Sequence, residues 1–332
     1  MAPWLSSCLS LLCLGLGSAL APKEVHIKEM VSAVFTPMTA EKSLDLSRVP
    51  LYAEMLASKN VTSVLPAGTT GESLSLSVAE RKQLAEAWAA TKIKVYMHIG
   101  AESLVDTLEL AVHAAATPGV VGLVCQTPVF FKPSVETLHV YLVAVGRAAP
   151  HMPLWYYHFP DKSGVLNGQA HRLLEMIHER QEIPNFAGVK FTDVNLMDFQ
   201  LCKMVGGGIY NMLFGRDEQY LAAAVLGADA PISSTLQYSP WLREVFRLAE
   251  AGNLYAAQGP QQAVAQLCSR FSDFDGSTNV QKGVMQMVLP QGPSRLPFRD
   301  LSGAESASLE QTLRAEHLLD PIFSSAYSTL AV

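Results

Sequence analysis

Charge is scarce in this chain. Only 16% of its 332 residues are Asp, Glu, Lys or Arg, the formal net charge is −6, and no basic run or patch occurs. That excludes an electrostatic footprint for nucleic acid. A mildly acidic protein still binds an acid where amides at a helix N-terminus supply local positive potential. Cysteine is also sparse: the five are Cys8, Cys13, Cys125, Cys202 and Cys268, with no C-x-x-C pair and no His/Cys cluster at zinc spacing. That removes a zinc module and a disulfide framework, and the three cysteines beyond the leader read as buried free thiols. No G-x-G-x-x-G follows the first predicted strand, which removes the commonest dinucleotide fold. Beyond the leader no stretch of 18 apolar residues occurs, so no membrane helix is expected.

The first 28 residues form a leader. Leu9 to Ala21 is apolar, too short to span a membrane, and ends in Ala19-Leu20-Ala21, which fits a signal-peptide cleavage site. Against that reading, no Lys or Arg precedes the run and Pro22 follows the cut. Both a signal peptide and a disordered leader stay open. The compartment expected is the cytoplasm, or the secretory pathway if residues 1–21 are a signal.

Apolar residues make up 49% of the chain, enough for one large core. From about Met30 a short apolar or β-branched run ends in small polar residues and a helical pattern follows. The predicted strands are Val31–Phe35, Ser63–Pro66, Lys94–Ile99, Gly122–Gln126, Pro153–Tyr157, Gly188–Phe191, Asn211–Phe214 and Pro231–Ser233. Eight βα units predict an α/β fold, a closed (β/α)8 TIM barrel, with an open doubly wound sheet as the alternative. Ser77-Val78-Ala79-Glu80 reads as a capping box that starts a helix. Trp241 to about Ser269 and Glu305 to about Leu319 are amphipathic, and Gly276–Pro297 is looser. Residues 29–325 therefore read as one barrel with a C-terminal helical extension from about 240.

Polar residues gather after the strands, where such barrels place their chemistry. Lys190 sits in the apolar run Ala187–Phe191. Side chains alternate along a strand, so Lys190 points inward if Val189 and Phe191 face the helices. Burial would favour the neutral amine, a Schiff-base nucleophile. The strand alone leaves a structural ion pair equally open. Tyr156 and Tyr157 are adjacent, so only one faces the interior, and an isolated pair of this kind is ordinarily core. Gly68-Thr69-Thr70-Gly71-Glu72 suits close approach to a small carboxylate. In Gly215-Arg216-Asp217-Glu218 the acids suit sugar hydroxyls or a helix start. No His lies at ligand spacing nearby, so no metal is expected, and His158 reads as structural.

Taken together, Gly68–Glu72, Tyr157-x-x-Pro160 and Gly188-x-Lys190, in this order, resemble the N-acetylneuraminate lyase and dihydrodipicolinate synthase family of class I aldolases. The resemblance covers roughly residues 30–325. It implies Lys190 as the imine-forming residue, Tyr157 as the proton relay, and Thr69 and Thr70 as binders of the pyruvate carboxylate. Phe191-Thr192-Asp193 and Gly215-x-Asp217-Glu218 look like its sialic acid lyase branch, as does Val129–Pro133. That branch implies cleavage of N-acetylneuraminate to N-acetylmannosamine and pyruvate, with Thr192, Gly215, Asp217, Glu218 and Ser234 on the sugar-derived part. It also implies no cofactor, small-molecule substrates and a homotetramer. Two residues depart from the pattern. Lys162 stands where the synthases carry an arginine and the lyases an apolar residue, and Leu236 stands where relatives often have Tyr. Two alternatives remain: an aldolase for another 4-hydroxy-2-oxo acid, favoured by Lys162, and an inactive barrel acting as a binding protein.

Overall fold

The structure is a computed structural model that describes residues 25–274 and 278–322; most of the 28-residue leader lies outside them. Eight parallel strands close into a barrel in chain order, β1 pairing with both β2 and β8. They are β1 (Val31–Ala33), β2 (Ser63–Leu65), β3 (Lys94–His98), β4 (Val120–Gln126), β5 (Leu154–His158), β6 (Phe186–Phe191), β7 (Asn211–Phe214) and β8 (Ala230–Ser233). Each predicted strand is present, with ends moved by one or two residues in most. The open doubly wound alternative is excluded by the β1–β8 pairing.

Seven helices ring the sheet: α1 (Val49–Ser58), α2 (Val78–Ala89), α3 (Leu104–Ala116), α4 (Val135–Ala148), α6 (Ala170–Arg180), α7 (Leu196–Met204) and α8 (Tyr220–Val225), with a short α5 (Pro160–Ser163) after β5. The Ser77–Glu80 capping box closes both ways at the start of α2, and Leu84, Ala85 and Trp88 then bury one face. Alternation sorts the core into two layers. Tyr156, Val189, Phe191, Met212 and Phe214 pack outward against helices, while Leu65, Tyr96, Trp155, Tyr157, Leu213 and Ile232 fill the barrel.

The N-terminal end of the barrel is plugged. Ile27 is buried there, so the packed chain begins before residue 29. Asn211 Oδ1 accepts from Ile27 N and Trp155 Nε1, both at 3.0 Å, and its Nδ2 donates to Ile27 O at 3.1 Å. Glu29 accepts from Lys94 Nζ and Ser63 Oγ, both at 2.9 Å.

The extension differs from the sequence reading in two places. The helix expected over Trp241–Ser269 is two, α9 (Trp241–Glu250) and α10 (Gln258–Ser272), broken at Gly252, whose φ is +75°. The stretch expected to be loose holds α11 (Thr278–Gln286). Its sequence has weak helix propensity around Gly283, and tertiary contact supplies what propensity does not. Lys282 on this helix forms a buried 2.7 Å ion pair with Glu72, and Gly283 lies against Leu301. The last helix, α12 (Gly303–Ala315), starts on a Ser302/Glu305 capping box.

Candidate active site

The C-terminal ends of the strands surround a cavity of about 270 Å³. Lys190 and Tyr157 are direct partners in the β5–β6 register, so both side chains point to the same side, the barrel interior. Gly188 makes the close strand contact beneath them: a Cβ there would meet Asn211 O at 1.9 Å. Lys190 is 4% exposed and has no ion pair among the described residues. Its Nζ lies 3.8 Å from the centre of the Tyr157 ring. Burial brings its pKa down to about 7, against a smaller opposing pull from Asp217. A large fraction is thus a neutral amine near pH 7. No carboxylate lies within ion-pair distance of Lys190 among the described residues, so the structure gives the ion-pair alternative no partner.

Tyr157 is the inward tyrosine, and Tyr156 packs in the outer layer. The Tyr157 hydroxyl lies 3.2 Å from Thr69 Oγ1. Burial pushes its pKa up to about 12, so at neutral pH it is a phenol rather than a standing base. Below it, His98 meets the Tyr157 ring edge-on at 6.0 Å. The buried Arg81 holds that imidazole through Nδ1 at 3.1 Å and its own carbonyl at 2.8 Å. Burial first, then the Arg81 and Lys190 charges, keep His98 well below the usual histidine range.

Thr69, Thr70, Thr192, Gly215, Asp217, Glu218 and Ser234 all line the same cavity as Lys190 and Tyr157. The residues that the resemblance implied for catalysis and substrate are therefore brought together at one mouth. Gly215 lies tight on Thr192: a Cβ there would come 2.1 Å from Thr192 Oγ1. That Thr192 oxygen is buried beside the Tyr157 hydroxyl, and their interaction partly offsets the effect of burial on the phenol. Asp217 Oδ2 accepts from Ser233 Oγ at 2.5 Å and Thr235 N at 3.1 Å. Burial outweighs these bonds and raises its pKa to about 6.

Other lining residues were given no role in the site by the sequence. Phe159, Asp161 and Arg216 stand at the rim, and Cys268, Phe271, Thr278 and Gln281 come from α10 and α11. The extension is part of the site wall, not only packing on the barrel. No periodicity announces this, because a wall residue on a helix looks like any polar or apolar position. Glu72 also differs from its neighbours in the Gly68–Glu72 turn: it faces Lys282 and Arg295 N rather than the cavity. Lys162 lines the cavity mouth and has no ion pair among the described residues, whereas Leu236 is fully buried in the outer layer. The Leu236 departure therefore leaves the cavity wall intact. His158, Asp193 and Asp198 come within 4.8 Å of one another, a cluster the dispersed histidines did not announce. The Asp198 oxygens already accept from Ala170 N and from His171 N and Nδ1. The His158 ring beside Asp193 holds that carboxyl below its usual range. The cluster lies where the ends of β5 and β6 meet α7, and His158 does not line the cavity.

A closed barrel with a buried, unpaired amine facing a phenol at its C-terminal mouth defines the architecture of a Schiff-base aldolase. The chain belongs to the dihydrodipicolinate synthetase family, whose model matches residues 26–316. It is 38% identical over 283 residues to N-acetylneuraminate lyase A of Xenopus laevis, covering 82% of this chain and 91% of that protein. It is 35% identical over 305 residues to N-acetylneuraminate lyase of Homo sapiens, covering 89% and 93%. Among solved structures, the Proteus mirabilis N-acetylneuraminate lyase superposes with a TM-score of 0.82 at 30% identity, over 89% of this chain and all (100%) of that one.

Proposed function

We propose that this protein is a carbon–carbon lyase that cleaves N-acetylneuraminate to N-acetylmannosamine and pyruvate through an imine on Lys190. The single observation that carries the reading is the buried Lys190 amine, unpaired among the described residues and set over the Tyr157 ring. Relatives named as N-acetylneuraminate lyases support the substrate.

The open-chain substrate presents its C2 ketone to the Lys190 amine. Nitrogen attacks carbon, water leaves, and a protonated imine forms. The C4 hydroxyl loses its proton, the C3–C4 bond breaks, and the bonding pair moves toward the imine to give an enamine. N-acetylmannosamine departs as the aldehyde. A proton returns to C3, and water releases pyruvate and the free amine. Tyr157 is the proposed proton relay. Its raised pKa suits a group that passes a proton on, with the substrate carboxylate as partner, better than one that keeps it. Thr69 and Thr70 are proposed to hold the pyruvate carboxylate; Thr192, Gly215, Asp217, Glu218 and Ser234 are proposed to face the sugar-derived part. The scheme needs no cofactor, since the imine is its own electron sink.

The test is product release from N-acetylneuraminate and from a panel of shorter 4-hydroxy-2-oxo acids. Release of N-acetylmannosamine and pyruvate, with the short acids poorer, is the expected result. Preference for a short acid would move the reading to a sister aldolase. In Tyr157→Phe, kcat is expected to fall about 10²- to 10⁴-fold with the fold retained. A near-normal rate would remove Tyr157 from its role.

A homotetramer with two kinds of two-fold interface needs two separate self-complementary patches. Two exposed apolar patches support one: Phe130 with Phe131, and Met197, Leu201 and Met204 along α7. For compartment the reading is the cytoplasm, where the free thiols Cys125, Cys202 and Cys268 stay reduced. A mature N-terminus near Pro22 would move it to the secretory pathway. Among the described residues, no helix is long and apolar enough to cross a membrane.

A further inference from the structure

Strands β5 and β7 flank β6 in the sheet, so any link between the loops after β5 and β7 must pass over the end of β6. One such link exists. Arg216, just after β7, donates to Asp161 in α5, just after β5. The guanidinium also lies 3.8 Å from Glu218 and 5.4 Å from the Phe159 ring. Phe159 in turn stacks on Tyr157, at 5.9 Å between centres and 29° between planes. A continuous column thus runs from Lys190 through Tyr157 and Phe159 to Arg216. The rim is net negative at Arg216, because two carboxylates face its one cation. What remains is hydrogen-bonding capacity: Arg216 Nε is buried with no partner among the described residues. Buried polar groups of this kind await a ligand that satisfies them. A neutral, hydroxyl-bearing chain does so without setting a new charge against Asp161 and Glu218.

We propose that Arg216 is a specificity-determining residue, strapped to Asp161 across the end of β6 so that it closes the cavity over the distal, polyhydroxylated part of the substrate. The strap acts on the sugar-derived half and leaves the pyruvate half to Lys190, Tyr157, Thr69 and Thr70. This inference rests on the imine reading of the site given above. A pocket built to pair with substrate hydroxyls discriminates strongly against analogues that lack them.

The experiment compares Arg216→Met, Asp161→Asn and the double variant with the unaltered protein. Arg216→Met keeps a long side chain on Phe159 and removes the charge. Asp161 is exposed, so Asp161→Asn tests the strap without risk to the core. Two quantities are read: KM and kcat for N-acetylneuraminate cleavage, and the pyruvate concentration that half-saturates borohydride trapping of Lys190. Either single change is expected to raise KM about tenfold, with kcat and pyruvate trapping within about twofold. The double variant is expected to show no more than the larger single effect, because the pair acts as one unit. KM within about twofold of the unaltered protein in both single variants, or fully additive effects, would overturn the strap while normal pyruvate trapping leaves the imine reading standing. Absence of a pyruvate adduct in the unaltered protein would instead overturn the imine reading and the strap with it.

Discussion

The two ends of the barrel treat polar groups in opposite ways. At the N-terminal end Asn211 makes three hydrogen bonds, and Glu29 is held by Lys94 and Ser63. At the C-terminal end Lys190 is buried with no ion pair among the described residues, and Arg216 Nε has no partner there. The same contrast separates two lysines of nearly equal burial. Lys282 pairs with Glu72 at 2.7 Å and donates to Pro293 O at 2.9 Å. Burial lowers the pKa of both, but the Glu72 charge opposes it at Lys282, whereas Lys190 comes down to about 7. The comparison teaches that burial alone does not make a nucleophile. Burial without a paired carboxylate favours the neutral amine that the proposed nucleophile requires, and the protein spends stability at one end while the other end and the extension hold the fold together.

The contrast is broken most sharply at Lys190. Lys190→Met is expected to lower turnover by on the order of 10⁴-fold or more, with an unchanged circular dichroism spectrum. It is also expected to make the protein more stable at neutral pH. The folded-state pKa of about 7 lies below the unfolded lysine value. Between those values the unfolded chain binds the extra proton, so stability of the unaltered protein rises with pH across that window. The gain from Lys190→Met should therefore be full below pH 7 and shrink as pH climbs toward about 10.4. A variant that is less stable than its parent at pH 6, measured by urea unfolding, would mean that Lys190 is a structural ion-pair partner.

Lys282 should behave in the reverse manner. Lys282→Met leaves Glu72 as a buried, uncompensated carboxylate, and is expected to cost about 3–5 kcal/mol. Adding Glu72→Gln should recover part of that loss. Glu72 closes the turn that carries Thr69 and Thr70, so a looser turn should also raise the pyruvate concentration needed for trapping. A thermally neutral Lys282→Met would show that the pair is not what clamps the extension to the barrel.

The smallest expected effect belongs to the floor. Asn211→Ala strands the Trp155 and Ile27 groups that it satisfies, at a cost of about 2–3 kcal/mol. Below the unfolding temperature its kcat should stay near that of the parent. A large loss of kcat in folded Asn211→Ala would erase the division between the two ends.

Much of this was legible in the sequence. Short apolar or β-branched runs ending in polar residues marked all eight strands, because each parallel strand is buried on both faces and must turn into a helix at the mouth. Alternation placed Lys190 opposite Val189 and Phe191, as the layers confirm. Composition and spacing could not say whether a carboxylate stood beside Lys190, since that depends on strands far apart in the chain. The helix over Thr278–Gln286 was hidden for a related reason: its Gly283 argues against helix locally, and the Lys282–Glu72 pair, 210 residues apart, argues for it only in three dimensions. Arg216 was visible in its motif, but its partner Asp161 was not, because the two meet only once β5 and β7 flank β6.

The most direct test of the central claim is borohydride trapping with pyruvate, followed by intact mass and peptide mapping. The expected result is one reduced pyruvyl adduct per chain, on Lys190 and not on Lys282. An adduct on Lys282, or none on the folded protein, would contradict the assignment of the unpaired lysine as the imine-forming group.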